Sequence, residues 1–348
     1  MASRRPTQSD VARLAGVSRG TVSLVLNERT NGPVPISDAT RDKVLAAARQ
    51  LGYAPNPVAQ MLVHGSNRLI GIFSYETVFP YDKNDFFFPY LSGIQQEASE
   101  QDFNVLLFTR NHNRSKPHIY HNGMNMLRLA DGSILLGANP DRGELRQLVE
   151  EGYPFVYIGR REVPGCEISW VANDYKHGSA QATRHLLELG HERLGFVGPE
   201  PSFEPQEDKL AGCRQTLMET GRGELVVLPE CPPEAGEVLI HAIETHHLTA
   251  LLCDSHKTFI ESLHILQKHG LSVPDDCSVV CLTTVEHSQP FQLKPTFVQL
   301  NRHMLGITAT QLLTRQIAGD NTPPHQAIIP CELVIGETTA PPRPQPQQ

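Results

Sequence analysis

Residues 7–27, TQSDVARLAGVSRGTVSLVLN, read as two short helices hinged at one glycine. Thr7 is placed to N-cap the first helix, and Asp10, three residues on, completes a capping-box-like start while complementing the helix dipole. Val11, Leu14 and Ala15 then fall on one face. Gly16 supplies the left-handed residue that ends a helix, Val17 plugs the corner, and Ser18 caps a second helix whose inner stripe is Val22, Val25 and Leu26. The outward residues of that second helix, Arg19, Gly20, Thr21, Ser23 and Leu24, are small and mostly polar, which lets it approach base edges in a major groove closely. Taken alone, the pattern fits a helix-turn-helix or an ordinary helical hairpin.

Residues 37–62 favour the former. Ser37 caps a helix whose Val44, Leu45, Ala48 and Leu51 are spaced to close a small core, and Gly52 stops it. Asn56 and Pro57 then suit the N-cap and first position of a further helix at 58–62. Five residues cannot hold a helix alone in water.

The runs Asp10-Val11-Ala12, Ala15-Gly16-Val17-Ser18, Thr21-Val22-Ser23 and Val25-Leu26-Asn27 resemble the DNA-binding headpiece of the lactose-repressor/galactose-repressor family of bacterial transcription regulators. So do Thr40-Arg41, Val44 through Ala48, Leu51-Gly52-Tyr53 and Pro55-Asn56-Pro57. The resemblance implies that the segment at 58–62 is a hinge helix, ordered when two copies pair in the minor groove. Leu62 matches the leucine that wedges between base steps, and Ala59 lies on the same hinge. It also implies that Arg19 reads guanine and that Thr7, Thr21, Ser23, Asn27 and Tyr53 orient on phosphates, with Ser18 and Gly20 completing the DNA-binding set. Leu24 stands where many members carry a guanine-reading arginine, so it should meet a thymine methyl or relax specificity there.

Charge is divided accordingly. Residues 1–62 carry eight Lys/Arg against four acids, a net +4, so the remaining 286 residues hold −12 of an overall −8. A basic end on an acidic body suits local phosphate contact and argues against the whole protein coating DNA. No apolar signal segment or membrane-length run is visible, and seven scattered cysteines read as reduced thiols of a cytoplasmic protein. The Cys277-x3-Cys281 spacing carries no metal expectation.

From Arg68 onward, β-like runs at 69–75, 105–109, 132–136, 155–158, 194–197, 225–228, 250–253 and 278–282 alternate with helical stretches such as 175–189 and 259–269. This implies parallel sheets with helices on both faces in two doubly wound subdomains. His185 through His191 with Leu194 through Gly198, Val273 through Asp276 with Ser278 through Val280, and Leu333 through Thr338 extend the family resemblance to about residue 339. An α/β fold is therefore expected. A three-helix helix-turn-helix headpiece at 1–55 and a hinge at 56–67 precede a periplasmic-binding-protein-like effector-binding and dimerisation domain at 68–340, followed by a disordered tail at 341–348. Lobe one takes about 68–168 and 299–328, lobe two about 169–298 and 329–340, with crossings near 167–171, 290–299 and 328–331.

A ligand would sit between the lobes at the strand carboxyl ends. Here the chain departs from the family. Ser255 and His256 stand where an asparagine-aspartate pair is common, Thr283 where a sugar-binding aspartate is usual, and Lys209 where an arginine precedes the helix glycine Gly212. The change to lysine keeps charge but loses the planar grip. A standard sugar effector is therefore in doubt. Asn84 with Phe86 and Phe87 matches the family's aromatic pair, Arg160 its arginine after the fourth strand, and Asn173-Asp174 its polar pair in swapped order. Phe87 could stack on a ligand face while Lys209, Arg160 and Asp174 fix polar groups, with Phe86 to Phe88 as plain core the alternative; Trp170, at the first crossing, reads equally as hinge packing or as ligand stacking.

No Gly-x-Gly-x-x-Gly, Walker loop, Gly-x-Ser-x-Gly or His-Glu-x-x-His is found, so no catalytic residue, cofactor or metal is expected. The expected partners are a pseudo-palindromic double-stranded DNA operator, a small-molecule effector and a second copy of the chain. An effector-independent regulator with a decayed cleft and a cytoplasmic solute-binding module are the other readings.

Overall fold

The computed structural model describes residues 6–26, 36–53, 66–76, 86–109, 117–232, 236–285, 293–320 and 324–343. Asn27, Ala59, Leu62, Asn84, the hinge at 58–62 and the tail at 344–348 lie outside the described residues. The chain divides into two compact units, Met1–Asn67 and Arg68–Gln348.

In the first unit, α1 (Gln8–Ala15), α2 (Arg19–Leu26) and α3 (Asp38–Leu51) enclose Val11, Ala12, Val22, Val25, Val44, Ala47 and Ala48. The local signals act as expected. Thr7 and Asp10 form a reciprocal capping box, Gly16 is left-handed at φ 69°, and the Ser18 hydroxyl accepts the Thr21 N–H at 3.0 Å. Ser37 caps α3, and Gly52, at φ 61°, ends it. One facing is corrected. Leu14 is 46% exposed and Ala12 takes its place inside, because the seat between α2 and α3 accepts Val11 and a methyl one position on.

The second unit is built on two six-stranded sheets. The first runs β13 (Gln326–Ile329), β7 (Trp170–Asn173), β6 (Phe155–Ile158), β5 (Gly132–Leu136), β1 (Leu69–Ser74), β2 (Asn104–Phe108), with every neighbouring pair parallel. The second runs β14 (Glu332–Val334), β12 (Thr296–Gln299), β11 (Ser278–Cys281), β10 (Ala250–Cys253), β8 (Arg193–Val197), β9 (Glu224–Leu228), and only its β12–β14 pair is antiparallel. A hairpin of β3 (Tyr120–His121) and β4 (Met124–Asn125) leads into a 3-10 turn at Met126–Leu129.

Helices cover both faces, which is why the central strands are apolar throughout rather than alternating. In the first sheet Ile70, Ile72, Ile134 and Leu136 face one core, and Phe73, Leu135, Phe155 and Tyr157 the other. Around lobe one stand α4 (Phe88–Glu100), α5 (Arg142–Glu150) and α10 (Arg302–Ile317). Lobe two carries α6 (Tyr175–Glu188), α7 (Glu204–Thr220), α8 (Gly236–His246) and α9 (His256–Lys268).

Two close helix pairs depend on glycine. A Cβ on Gly306 would stand 2.4 Å from the Tyr90 carbonyl, which brings α10 against α4; one on Gly212 would stand 2.2 Å from the Lys176 carbonyl, which brings α7 against α6. The second contact seats the stretch of α7 that carries Lys209.

The first crossing is corrected. Residues 170–173 are a fully buried strand of the first sheet, paired to β6 and β13, so the chain leaves lobe one at 173–175 rather than at 167–171. Trp170 accordingly packs in the lobe-one core with Tyr157 and Leu145, serving neither as hinge nor as ligand platform. The second crossing falls after β12, at 300–301, and the third between β13 and β14. The tail is corrected as well. Residues 341–343 are placed, with Arg343 ion-paired to Asp275 and Asp276, because two adjacent carboxylates give the guanidinium a partner.

Candidate functional site

On the first unit, Arg19 and Gly20 are exposed at the start of α2, while Thr21, Ser23 and Leu24 are half-buried along it. The Ser18 and Thr21 hydroxyls are 2.9 Å apart, so both are engaged in the cap that fixes the first turn of α2. Thr7 is likewise held, its Oγ1 2.6 Å from Asp10 Oδ2. Tyr53 packs against the three-helix core and its N–H donates to the Ala48 carbonyl. Thr7, Ser18, Arg19, Gly20 and Thr21 thus share helix starts, where unpaired backbone N–H groups favour phosphate oxygens.

The second unit holds a cavity of about 440 Å³ between its lobes. Its walls come from the carboxyl ends of strands: Glu76 after β1, Gly137 and Ala138 after β5, Gly159 and Arg161 after β6, Asn173 ending β7, Asp254 to Lys257 after β10, and Thr283 after β11. Gly137 and Gly159 have φ 115° and 107°, a left-handed backbone that turns each strand end aside at the cavity.

Six of the eight residues expected from sequence line this cavity: Phe86, Phe87, Lys209, Ser255, His256 and Thr283. The phenylalanine run divides by role. Phe87 is buried in the lobe-one core, Phe86 lies under the Arg302 guanidinium at 4.4 Å, and Phe88 is 69% exposed. Arg160 and Asp174 do not line it, and both are corrections. Asp174 accepts the His177 N–H and caps α6, while Arg160 grips Asp208 with two hydrogen bonds of 2.8 and 3.2 Å. Their neighbours take the cavity positions, Arg161 in place of Arg160 and Asn173 in place of Asp174. For Asp174 the signal was present, since an aspartate before a helical run is a cap by preference. For Arg161 it was not, because the left-handed Gly159 breaks strand parity.

Lys209 is buried and donates to both Asp254 Oδ1 and the Asp254 carbonyl, each at 2.7 Å, with its ammonium 5.6 Å from the Tyr175 ring centre. Sequence reasoning missed Asp254, along with Tyr90, Tyr175, Phe203 and Arg302 on the same walls.

A clasp joins the lobes beside the cavity. Glu204, the first residue of α7, is buried; its Oε1 accepts from Arg142 Nη2 at 3.1 Å and from the Glu162 N–H at 2.8 Å, and its Oε2 lies 3.7 Å from Arg161 Nη1. With Arg160 on Asp208, three lobe-one arginines meet two lobe-two carboxylates. Arg161 is further sandwiched between the Tyr157 and Phe203 rings, at 5.0 and 5.7 Å. The cluster therefore links the cavity wall to lobe closure.

The described histidines and cysteines lie elsewhere, His256 apart. His118, Asp141 and Glu144 come close enough to one another to hold a cation, but the Glu144 carboxylate already accepts backbone N–H groups from Ile119 and Tyr120. Cys231, Cys253, Cys277 and Cys281 share one apolar core, and burial pushes the Cys277 thiol up to about 12 and that of Cys281 to about 11. Protonated thiols in such a core are poor nucleophiles and poor ligands.

Comparison with known proteins agrees with both halves. A family described as bacterial regulatory proteins, lacI family, matches residues 7–56, and a periplasmic binding protein-like domain matches 183–339. The chain is 30% identical to the HTH-type transcriptional regulator CelR of Thermobifida fusca, over 96% of this chain and 98% of that one. The chain belongs to the LacI family. Like other LacI-family proteins it is a DNA-binding transcriptional regulator, and the first unit is its headpiece. A structure of a CelR–cellobiose complex matches with a TM-score of 0.65 and 28% identity, covering 96% of this chain and all of the other. The lac repressor dimer bound to operator and an anti-inducer matches with a TM-score of 0.75, covering 97% and 100%; at 22% identity it speaks to the fold alone. Among the described residues, no helix is long and apolar enough to cross a membrane.

Proposed function

We propose that this LacI-family regulator is a homodimeric, cytoplasmic repressor whose paired headpieces bind a pseudo-palindromic operator and whose grip is set by a small molecule in the inter-lobe cavity. The observation that carries the reading is a cavity of about 440 Å³ whose wall includes Arg161, a member of the clasp that ties the lobes together. A ligand there acts on the same group that governs closure. Relatives support the reading, one of them seen with cellobiose.

In this reading Arg19 contacts guanine, and Leu24 meets a thymine methyl or relaxes specificity there. Thr7, Thr21, Ser23, Asn27 and Tyr53 orient on phosphates, Leu62 wedges into the minor groove, and Ser18, Gly20 and Ala59 complete the DNA-binding set. Phe86, Phe87, Lys209, Ser255, His256 and Thr283 face the effector, joined by Arg161 and Asn173. By linkage, effector and operator must change each other's affinity by the same factor. Gel shift of the full chain on operator DNA, with and without a metabolite panel, tests this. A shift that responds to one metabolite supports it; a shift that none alters favours an effector-independent regulator; no shift at all overturns it.

A further inference from the structure

We propose that the effector carries an anionic oxygen group, a carboxylate or a phosphate, which the cavity holds through Asn173, Arg161 and Lys209. The proposal rests on the reading that an effector binds this cavity, and it departs from the neutral disaccharide seen with a relative.

Two donors carry it. Asn173 is 3% exposed and lines the cavity; its Oδ1 accepts the Asn301 N–H at 3.1 Å, and its Nδ2 has no hydrogen-bond partner. Arg161 is 5% exposed and lines the same cavity; its Nη atoms are engaged by the carbonyls of Arg160, Gly137 and Ala138, and its Nε has no acceptor. Buried donors left without acceptors lose hydration and gain nothing in return, so a site that orders them does so for a group that supplies lone pairs.

Each carboxylate on the walls already has one oxygen engaged by a donor. Glu76 accepts the Ala138 N–H at 2.7 Å, Glu230 is paired with Lys257 at 3.4 Å, and Asp254 with Lys209 at 2.7 Å. A neutral sugar presents hydroxyl hydrogens that need acceptors, whereas a carboxylate or phosphate only accepts. Asn173 and Thr283 also stand where a carboxylate would repel such a group and an amide or hydroxyl does not. The rings of Phe86, Tyr90, Tyr175 and Phe203 leave apolar wall for a carbon skeleton. Together these leave a cavity with two orphaned donors and with every wall carboxylate already facing a donor of its own, an arrangement that suits a group which only accepts.

The test is titration calorimetry on the full-length protein with matched probes: glucose, glucuronate and glucose 6-phosphate, then cellobiose and its uronic acid. We expect an acidic member to bind at least about tenfold tighter than its neutral partner, with glucuronate against glucose 6-phosphate telling carboxylate from phosphate. Asn173→Asp should remove that preference by placing like charge against the anion. Thr283→Asp, on a half-buried wall position, should do the same if the buried substitution fails to fold. Neutral members binding as tightly as acidic ones, or acid affinity unchanged in both variants, overturns the proposal while leaving the effector reading intact. Binding of no member overturns both.

Discussion

The headpiece and the cavity are specified in opposite ways. Each headpiece feature is fixed by residues a turn or two apart: Thr7 with Asp10, Gly16 before Val17, Ser18 with Thr21, Gly52 after Leu51. The cavity is assembled from strand ends between Glu76 and Leu305, and its polar groups take partners from the other lobe or a distant strand, as Arg161 does with Glu204 and Lys209 with Asp254. One region is local chemistry repeated; the other is long-range pairing. Substitutions should therefore stay confined in the first and spread in the second.

The strongest way to break this contrast is Val22→Asp. Val22 is fully buried in a seven-residue core of small side chains, and an unpaired carboxylate there costs several kcal/mol, about the whole stability of so small a unit. Calorimetry should show the headpiece transition gone and the body transition unmoved, with specific operator binding lost in fluorescence anisotropy. A body transition that moves as well would mean the two units do not fold independently.

Glu204→Gln asks the converse question. It leaves the Arg161 guanidinium buried beside a neutral amide, but keeps an acceptor for Arg142 and the Glu162 N–H, so we expect about 2–3 kcal/mol lost, below the figure for a fully broken buried pair. The body's melting temperature should fall and effector affinity with it. Asp208→Asn, on the partly exposed half of the clasp, should cost only about 0.5–1 kcal/mol. Equal effects from the two would show that closure does not run through the buried half.

Arg19→Ala acts on an exposed side chain and should leave both transitions alone. Its expected cost is about 1–3 kcal/mol on operator binding, with preference relaxed at one base pair per half-site in a selection experiment. An unchanged selection profile would remove Arg19 from base readout.

The same contrast explains what could be read in advance. Caps, the left-handed glycines and the alternation of strand and helix are short-range, so the three headpiece helices and eight of the sheet strands were legible from residue types. The strands at the crossings were less so. β7 reads as a linker until its neighbours β6 and β13 supply hydrogen bonds on both sides, and one misplaced crossing moved Trp170 from core to hinge. In the cavity, Phe86, Lys209 and Thr283 were found because each matches a position of the family pattern beside a strand or helix landmark. Asp254 was missed because what defines it is a partner many residues away, and Arg161 because the left-handed Gly159 decides which of two adjacent arginines meets the cavity; spacing carries no trace of either.

The finest test lies in pH. His191 is buried in lobe two, with Nδ1 2.9 Å from Thr249 Oγ1 and Nε2 2.8 Å from the Ala340 carbonyl, an arrangement suited to neutral imidazole accepting from the hydroxyl and donating to the carbonyl. Burial holds it below its ordinary value of 6.5, and burial likewise lowers His185, whose Nε2 lies 3.0 Å from Thr339 Oγ1. Since the folded state takes up these protons less readily than the unfolded chain, their contribution is complete above about pH 6.5 and is lost as pH falls below it. Residues 6–53 contain no histidine, so the three-helix core of the headpiece has no such group. Between pH 7.5 and 5.5 the body's melting temperature should therefore fall relative to the headpiece's, and His191→Gln should flatten that fall while preserving the contact to Ala340. Should the substitution leave the slope unchanged, protonation of His191 is not what loosens lobe two, and its pairing with Ala340 is mere packing.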